Sequence, residues 1–150
     1  MKIKFRLPGN LLLGIFLIYF LFFGFICNIY LKSIGLDLIF LYRVIFFPKS
    51  DSYLSIFILM FIVFIITIRE YFYEYAIRNS IWLVPFILLM SWIWHWIIYG
   101  FNFFIIVIFF TSIEGYLTIL LLLGVNVFTS LLTSFVKYKY KEYIGKSITK

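Results

Sequence analysis

Cysteine and histidine each occur only once in this sequence, and that scarcity excludes several kinds of site. Cys27 has no partner for an internal disulfide bond. His95 is the single histidine, so a zinc site would lack ligands and a haem group would lack an axial partner. The sequence also has no phosphate-binding loop, no nucleophile–base set and no dinucleotide-binding fingerprint. We therefore expect no metal, no cofactor and no catalytic residue.

Charged residues are also scarce, and the apolar residues that replace them exclude a water-soluble domain. Of the 150 residues, 13% are charged, 65% are hydrophobic and 25% are aromatic. The length allows one domain, and a domain of this size in water could not bury so much apolar surface. Four apolar stretches are long enough to cross a hydrocarbon core of about 30 Å as helices. The chain is therefore expected to be an integral membrane protein.

Small residues that usually allow membrane helices to pack closely are rare. Glutamine is absent, Ala76 is the only alanine, and Phe, Ile, Leu, Tyr and Lys dominate the composition. This bias is typical of AT-rich genomes, which both organelles and reduced bacteria have. The composition by itself leaves both sources open.

Charges and turn residues divide the chain into four expected spans. The basic start before the first apolar run is similar to a signal peptide, but the run is too long and no cleavage site follows it, so we interpret it as a span. The last apolar stretch would measure about 50 Å as a straight helix. This favours one long helix, tilted or bent near residues 111–115, over two spans. The expected spans are residues 11–31, 53–68 with the helix continuing to 78, 81–99 and 103–136.

The connections between these spans have distinct compositions. Residues 32–52 are too charged to span and too apolar for a free loop, which predicts an interfacial helix between spans 1 and 2. Asn79 and Ser80 interrupt the next apolar pattern, and Ser80 is placed to cap the third span. Gly100 to Asn102 predict a tight turn that makes spans 3 and 4 an antiparallel hairpin. Residues 137–150 predict a solvated basic tail.

The distribution of lysine and arginine predicts the orientation. In the four-span arrangement, ten of the thirteen cationic residues lie on the side of the two termini. The positive-inside rule therefore places both termini inside. Because the cations flank apolar spans, we expect no nucleic-acid partner despite the net charge of +7. The sequence thus predicts an all-α, four-span polytopic membrane protein with both termini inside.

Glu114 is the strongest candidate site residue, because it lies about eleven residues into an apolar run. A carboxylate at such a depth is costly to ionise unless a cation or several donors approach it. Intramembrane acids often relay protons or bind ions, and the alternative is a neutral acid with a structural hydrogen bond. Gly115 would let another helix approach beside it. A polar edge on the same span is expected to face protein and comprises Asn126, Thr129, Ser130, Thr133 and Ser134.

Two further groups of residues are candidates, and the first of them has both a functional and a structural interpretation. Glu70 and Glu74 would share one helix face with Arg78 at the inner end of span 2. They are a charged helix end, the entry point of a proton path that includes Glu114, or a docking face for a partner subunit. A second group is typical of an outer interfacial belt and comprises Trp92, Trp94, His95 and Trp96.

The run Phe110-Thr111-Ser112-Ile113-Glu114-Gly115-Tyr116-Leu117-Thr118-Ile119-Leu120 resembles a stretch of chain 4L of the proton-pumping NADH:ubiquinone oxidoreductase. In that family a glutamate lies mid-membrane among apolar and small residues, and Glu114 resembles the acid of its third helix. The basic turn of residues 69–79 is similar to the first inner connection of that subunit. The resemblance covers about a third of the chain and would suit a divergent mitochondrial genome.

The resemblance implies a non-catalytic membrane subunit of a large energy-transducing complex of the respiratory chain, with other membrane subunits as partners. The mitochondrial inner membrane is then favoured, with a bacterial inner membrane as the alternative. One alternative function is a small bacterial membrane protein acting as transporter component, channel or assembly partner. Another is a structural subunit that binds anionic lipid such as cardiolipin through a basic tail that includes Lys137, Lys139 and Lys141.

Overall fold

Helices account for every regular element in the part of the chain that the computed structural model describes, residues 9–30, 35–46 and 53–148. The all-α class predicted from the sequence is therefore confirmed for these residues. The α-helices are α1 (Gly9–Leu17), α2 (Gly24–Tyr30), α3 (Leu41–Phe46), α4 (Leu54–Arg69), α5 (Tyr73–Tyr99), α6 (Phe104–Thr111) and α7 (Ile113–Ile148).

The first apolar stretch folds as one helical rod. A π-helical segment, Ile18–Phe23, joins α1 to α2 without a break in the helical backbone. Gly14 lets this rod approach α4 and α5, since a Cβ atom there would collide with Ile66 and lie 3.3 Å from Leu83 Cδ1. The predicted span of residues 11–31 agrees with the rod up to Tyr30, and Leu31 lies outside the described residues.

The connection between α4 and α5 differs from the sequence-based prediction. The predicted continuation of the second helix to residue 78 is wrong, because Glu70 and Phe72 have extended backbones and α5 already begins at Tyr73. Ser80 lies inside α5 and donates to the Ala76 carbonyl, 2.8 Å away, instead of capping a helix. The chain therefore turns between Glu70 and Phe72, ahead of Glu74, and not at Asn79 and Ser80.

The last apolar stretch is divided by a sharp corner. Ser112 has an extended backbone, with φ −95° and ψ 145°, between α6 and α7. The predicted bend near residues 111–115 is thus present as a complete break between two helices. Helix α7 then runs for 36 residues, about 54 Å, so most of the predicted solvated tail continues the helix.

The helices pack as a bundle whose two ends are fixed by side-chain contacts. At one end, which we call the basic end, Asn10 donates to Glu70 and Lys137 donates to the Ile68 carbonyl. At the other, the hairpin end, the Gly35 amide donates to the hydroxyl of Tyr99. Helix α7 packs against both α4 and α5.

Helices α5 and α7 run antiparallel. Asn126 of α7 contacts Ser80 near the basic end, and Phe109 of α6, the helix that precedes α7, packs on Trp92 near the hairpin end. The sequence separation of contacting residues thus falls toward the turn that joins them. Gly100 allows that turn through its φ of 91°, and Asn102 accepts a hydrogen bond from the Phe104 amide. The predicted tight turn of the hairpin is confirmed.

Within the residues that the structure describes, three helical segments are long and apolar enough to cross a membrane. They are Gly9–Asn28, Tyr73–Tyr99 and Ile113–Ile144. Helix α4 is apolar as well, but its 16 residues span only about 24 Å, less than a hydrocarbon core of about 30 Å. The three segments indicate a membrane protein.

Candidate functional site

The corner at Ser112 positions Glu114 in the first turn of α7. The Ser112 hydroxyl accepts a hydrogen bond from the Gly115 amide at 3.2 Å, which is the geometry of an N-terminal helix cap. An acidic side chain is favourable in the first helical turn, because the unpaired amides there carry partial positive charge. Gly115 is required at this corner, since a Cβ atom would collide with the backbone carbonyl of Phe109. The backbone break therefore explains why an acid is tolerated at this position.

Glu114 is paired with a cation from a distant part of the chain. The Arg43 guanidinium of α3 donates to Glu114 Oε1, and the Tyr42 hydroxyl donates to the same oxygen at 3.1 Å. Arg43 also forms a 3.1 Å ion pair with Asp37 and donates to the Tyr42 hydroxyl at 3.2 Å. Glu114 and these three residues, Asp37, Tyr42 and Arg43, form what we call the charge cluster.

An aromatic floor supports the charge cluster. The Arg43 guanidinium carbon lies 5.7 Å from the centre of the Phe40 ring, and Phe40 stacks on Phe109 at 6.1 Å. Cation–π contact of this kind is favourable where water is partly excluded. The hydrogen bonds with Glu114, Tyr42 and Asp37 raise the pKa of Arg43, against the opposing effect of its burial. Arg43 therefore remains cationic in the cluster.

The charge cluster is only partly covered by the rest of the chain. The side chains of Arg43, Glu114 and Asp37 are 40%, 33% and 27% exposed, respectively. With both carboxylates ionised, the cluster has one more negative than positive charge. It lies toward the hairpin end, because Phe109 and Phe110 just before the corner both pack on Trp92. An incompletely neutralised group of charges thus remains accessible on one side of the bundle.

Arg43, Asp37 and Tyr42 were not identified as site residues from the sequence. In the sequence, Asp37 and Arg43 indicated only that residues 32–52 do not cross the membrane. A signal for pairing was nevertheless present, because an acid in an apolar run requires a partner and Arg43 lies in an apolar segment too. The sequence separation of 71 residues between Arg43 and Glu114 hides the pairing from any local pattern.

Buried polar side chains continue from the charge cluster along α7. Thr118 is fully buried and donates to the Glu114 carbonyl at 2.9 Å. Farther along, Asn126 donates to the Ser80 carbonyl and Ser130 lies 3.4 Å from the Thr67 hydroxyl. We call this row the polar seam; it comprises Thr118, Asn126, Thr129, Ser130 and Thr133, all at most 5% exposed.

The predicted orientation of the polar edge on the last helix is therefore confirmed for four of its residues, and Ser134 is partly buried. The seam is interrupted by Leu122, which is fully buried between Thr118 and Asn126. The Asn126 side-chain oxygen has no hydrogen-bond partner among the described residues. The seam is thus a row of separate polar contacts. It is interrupted by two apolar helical turns between Thr118 and Asn126.

At the basic end, Glu70 and Glu74 have different surroundings. Glu70 lies in the extended connection and accepts hydrogen bonds from Asn10 at 2.8 Å and Asn79 at 2.6 Å. Glu74 is exposed in the first turn of α5, and Arg78 of the same helix lies over the Tyr75 ring at 4.6 Å. The expected common helix face of Glu70, Glu74 and Arg78 is wrong, because Glu70 precedes α5. Glu70 instead links the start of α1 to α5 through its hydrogen bonds with Asn10 and Asn79.

The aromatic group of α5 is divided between the interior and the surface. Trp92 and His95 are only 8% and 7% exposed, and His95 packs against the Tyr99 ring at 4.8 Å. Trp94 packs on Tyr19 at 5.3 Å, and Trp96 donates to the Asn102 carbonyl at 3.0 Å. Trp92 and Trp94 therefore contact other helical segments, whereas His95 and Trp96 contact their own helix and the hairpin turn.

The basic residues of α7 also differ from one another. Lys137 donates to the carbonyls of Ile68 and Glu70 and so caps the end of α4. Lys139 forms a 3.6 Å ion pair with Glu142 one turn along. Lys141 lies 5.1 Å from the centre of the Tyr71 ring. Two of the three lysines thus contact the connection between α4 and α5.

The arrangement offers no metal centre in the part of the chain that the structure describes, where no three His, Cys, Asp or Glu side chains come together in a way that could hold an ion. The sequence matches no protein-family model, no curated protein and no solved structure. The charge cluster, the polar seam and the basic end are therefore interpreted from their own geometry.

Proposed function

We propose that this chain is a non-catalytic, four-span membrane subunit of a larger assembly, with both termini inside. The observation that carries the proposal is the partial exposure of Glu114, which lies on a membrane helix, and of Arg43, which pairs with it. Charged side chains in contact with hydrocarbon are unfavourable by several kcal/mol, so such groups normally face protein or a water-filled cavity. A neighbouring subunit would cover Glu114 and Arg43 and would balance the excess negative charge with its own donors.

The remainder of the surface supports the same proposal. Large apolar side chains are exposed on every long helix, including Phe57 at 62% and Leu120 at 71%. Exposed apolar area of this kind requires lipid or protein around it. An energy-transducing complex of the respiratory chain in the mitochondrial inner membrane fits the resemblance of residues 110–120 best. A stand-alone bacterial transporter component, channel or assembly partner is the competing proposal.

Extraction from the native membrane tests the proposal. We expect an epitope-tagged chain, solubilised in mild detergent, to migrate on a native gel with other membrane proteins and far above its own 18.1 kDa. Arg43→Gln should weaken this association, because it leaves Glu114 and Asp37 without their cation. Arg69→Gln removes the same charge at the basic end and should leave association unchanged. A fully helical, well-behaved monomer from native membranes would contradict the proposal.

A second candidate function is a contribution to a proton path, and the polar seam is the observation that favours it. The seam extends from Glu114 toward Glu70 and would need water or a partner side chain to bridge Leu122. If Glu114 relays protons, Glu114→Gln should reduce coupled proton transport while assembly stays normal. If Glu114 is structural, Glu114→Gln should leave transport intact and Glu114→Leu should impair assembly, because Arg43 then loses one of its two carboxylate partners. Normal coupling in a correctly assembled Gln variant would rule out the relay.

A further inference from the structure

The basic end contains a cleft that the charge cluster and the polar seam do not use. The cleft has a volume of about 340 Å³ and lies between the connection of α4 to α5 and the last part of α7. Volumes of about 300–1,000 Å³ are typical of sites that hold small molecules or headgroups. Its polar lining includes Ser134, Lys137, Tyr138 and Lys141.

The charges that line the cleft favour an anion. Lys137 uses two of its three N–H donors on the Ile68 and Glu70 carbonyls, which leaves one donor. Lys141 lies beside the Tyr71 ring and has no carboxylate partner among the contacts of the described residues. The one lining acid, Glu70, is held by the amide groups of Asn10 and Asn79. The charges of Lys137 and Lys141 are therefore less compensated by neighbouring groups than the charge of Glu70.

The backbone adds further donors to this cleft. Helix α5 begins beside it, and its N-cap residue, Phe72, makes no side-chain hydrogen bond to the first turn. The first hydrogen bond into the helix comes from the Ala76 amide, so the amides of residues 73–75 precede the helical ladder. Amides at a helix N-terminus favour anions, and two lysines beside them strengthen that preference. Glu74 offsets part of this charge, but it is exposed and does not line the cleft.

We infer that this cleft binds a phosphate group, with Lys141, the free donor of Lys137 and the first turn of α5 as its ligands. A phospholipid headgroup is the favoured source, because Tyr71, Phe72 and Tyr73 line the cleft and are 76%, 56% and 63% exposed. Exposed aromatic rings next to lysines are typical of a membrane–water interface. The inference rests on the proposed membrane placement, which puts the basic end at that interface.

Lipid binding to the purified, full-length chain tests the inference. Native mass spectrometry would compare the retention of phosphatidylglycerol and phosphatidylcholine by the wild type, Lys141→Gln and Lys139→Gln. Both variants remove one positive charge from α7, but Lys139 pairs with Glu142 and does not line the cleft. We expect the wild type and Lys139→Gln to prefer phosphatidylglycerol, and Lys141→Gln to bind it about fivefold more weakly. Circular dichroism would verify equal helicity.

A second arm distinguishes the two sources of phosphate. Inorganic phosphate would be titrated into lipid-free protein in detergent, and then into the protein with bound phosphatidylglycerol. Binding of the lipid without comparable binding of the free ion assigns a headgroup site. Binding of inorganic phosphate that displaces the lipid assigns a site for a soluble phosphate.

Equal retention of the two lipids by the wild type, or equal losses in Lys139→Gln and Lys141→Gln, would overturn the inference. These measurements use the purified chain and no partner subunit. Loss of the native-gel association would therefore contradict the proposed function without affecting the lipid-binding result. Failure of selective lipid binding would likewise overturn this inference without affecting the native-gel result.

Discussion

Arg43 joins two parts of the chain that are 71 residues apart, and this contact fixes the position of α3 over α7. The guanidinium contacts Glu114, Tyr42 and Asp37 while it lies against the Phe40 ring. A short helix of six residues has little stability of its own, so such contacts determine where it lies. The residue of greatest consequence at this site is thus the cation, although the sequence directs attention to the acid.

The free energy of the Arg43–Glu114 contact can be measured with a double-mutant cycle. We expect Arg43→Gln and Glu114→Gln each to destabilise the helical fold, and the double variant to lose about 1 kcal/mol less than the sum. This value is at the upper end for exposed pairs, because Arg43 is only 40% exposed. It is not larger, because water still weakens the attraction. Unfolding in mixed micelles, followed by circular dichroism, would provide the four stabilities.

The pair of Lys139 and Glu142 serves as the control for this cycle. Its two residues lie three apart on the exposed part of α7, and Lys139 is 61% exposed, so a coupling of about 0.3 kcal/mol is expected. Strictly additive effects of Arg43→Gln and Glu114→Gln would contradict the pairing. Because its hydrogen bonds raise the pKa of Arg43, the stabilisation is fully present at any pH below the ordinary pKa of arginine, and alkaline pH in that range should not weaken the contact.

At the scale of helices, the corner between α6 and α7 shows how local polar groups support a break in an apolar run. The Thr111 hydroxyl donates to the Val107 carbonyl at 2.8 Å, and Ser112 caps α7. The sequence indicated a bend near residues 111–115 because the apolar stretch is too long to cross a bilayer as one straight helix. It did not indicate the break at Glu70 to Phe72, because alternating charged and aromatic residues are compatible with a continuing helix. There the helix end is stabilised by the contacts of Lys137 with the Ile68 and Glu70 carbonyls, which no local sequence pattern contains.

The corner depends on Gly115, and alanine substitution tests this dependence. We expect Gly115→Ala to destabilise the fold by about 2 kcal/mol, because the new Cβ atom would collide with the Phe109 backbone, which cannot move aside as a side chain can. Gly124→Ala in the same helix meets nothing within 4 Å and should be neutral or slightly stabilising. Unfolding of both variants in mixed micelles is the measurement. Equal stabilities would mean that the corner relaxes without strain.

At the scale of the whole molecule, the contacts divide the bundle into two ends of different charge. The start of α1, the α4–α5 connection and the lysines of α7 lie together at the basic end. The hairpin end has Arg43, which Asp37 and Glu114 neutralise. Helical content, the hairpin turn and the buried edge of α7 follow from hydropathy and turn residues, and were predictable. The charge cluster depends on tertiary contacts over more than 70 residues, so its composition was not.

This charge asymmetry predicts that both termini lie on the inner side of the membrane, and single-cysteine labelling tests it. In a Cys27→Ser background, we expect cysteines at positions 2, 69 and 146 to react with a membrane-impermeant maleimide only when the inner side is accessible. A cysteine at position 49 should react only from the outer side, since residue 49 falls in the connection that precedes the second predicted span. Cysteine at position 120, on the apolar face of α7, is the unreactive control.

Labelling of positions 2 and 146 from opposite sides would require an odd number of spans. The short α4 would then be the first helix to reconsider, because its 16 residues are the least able to cross a bilayer.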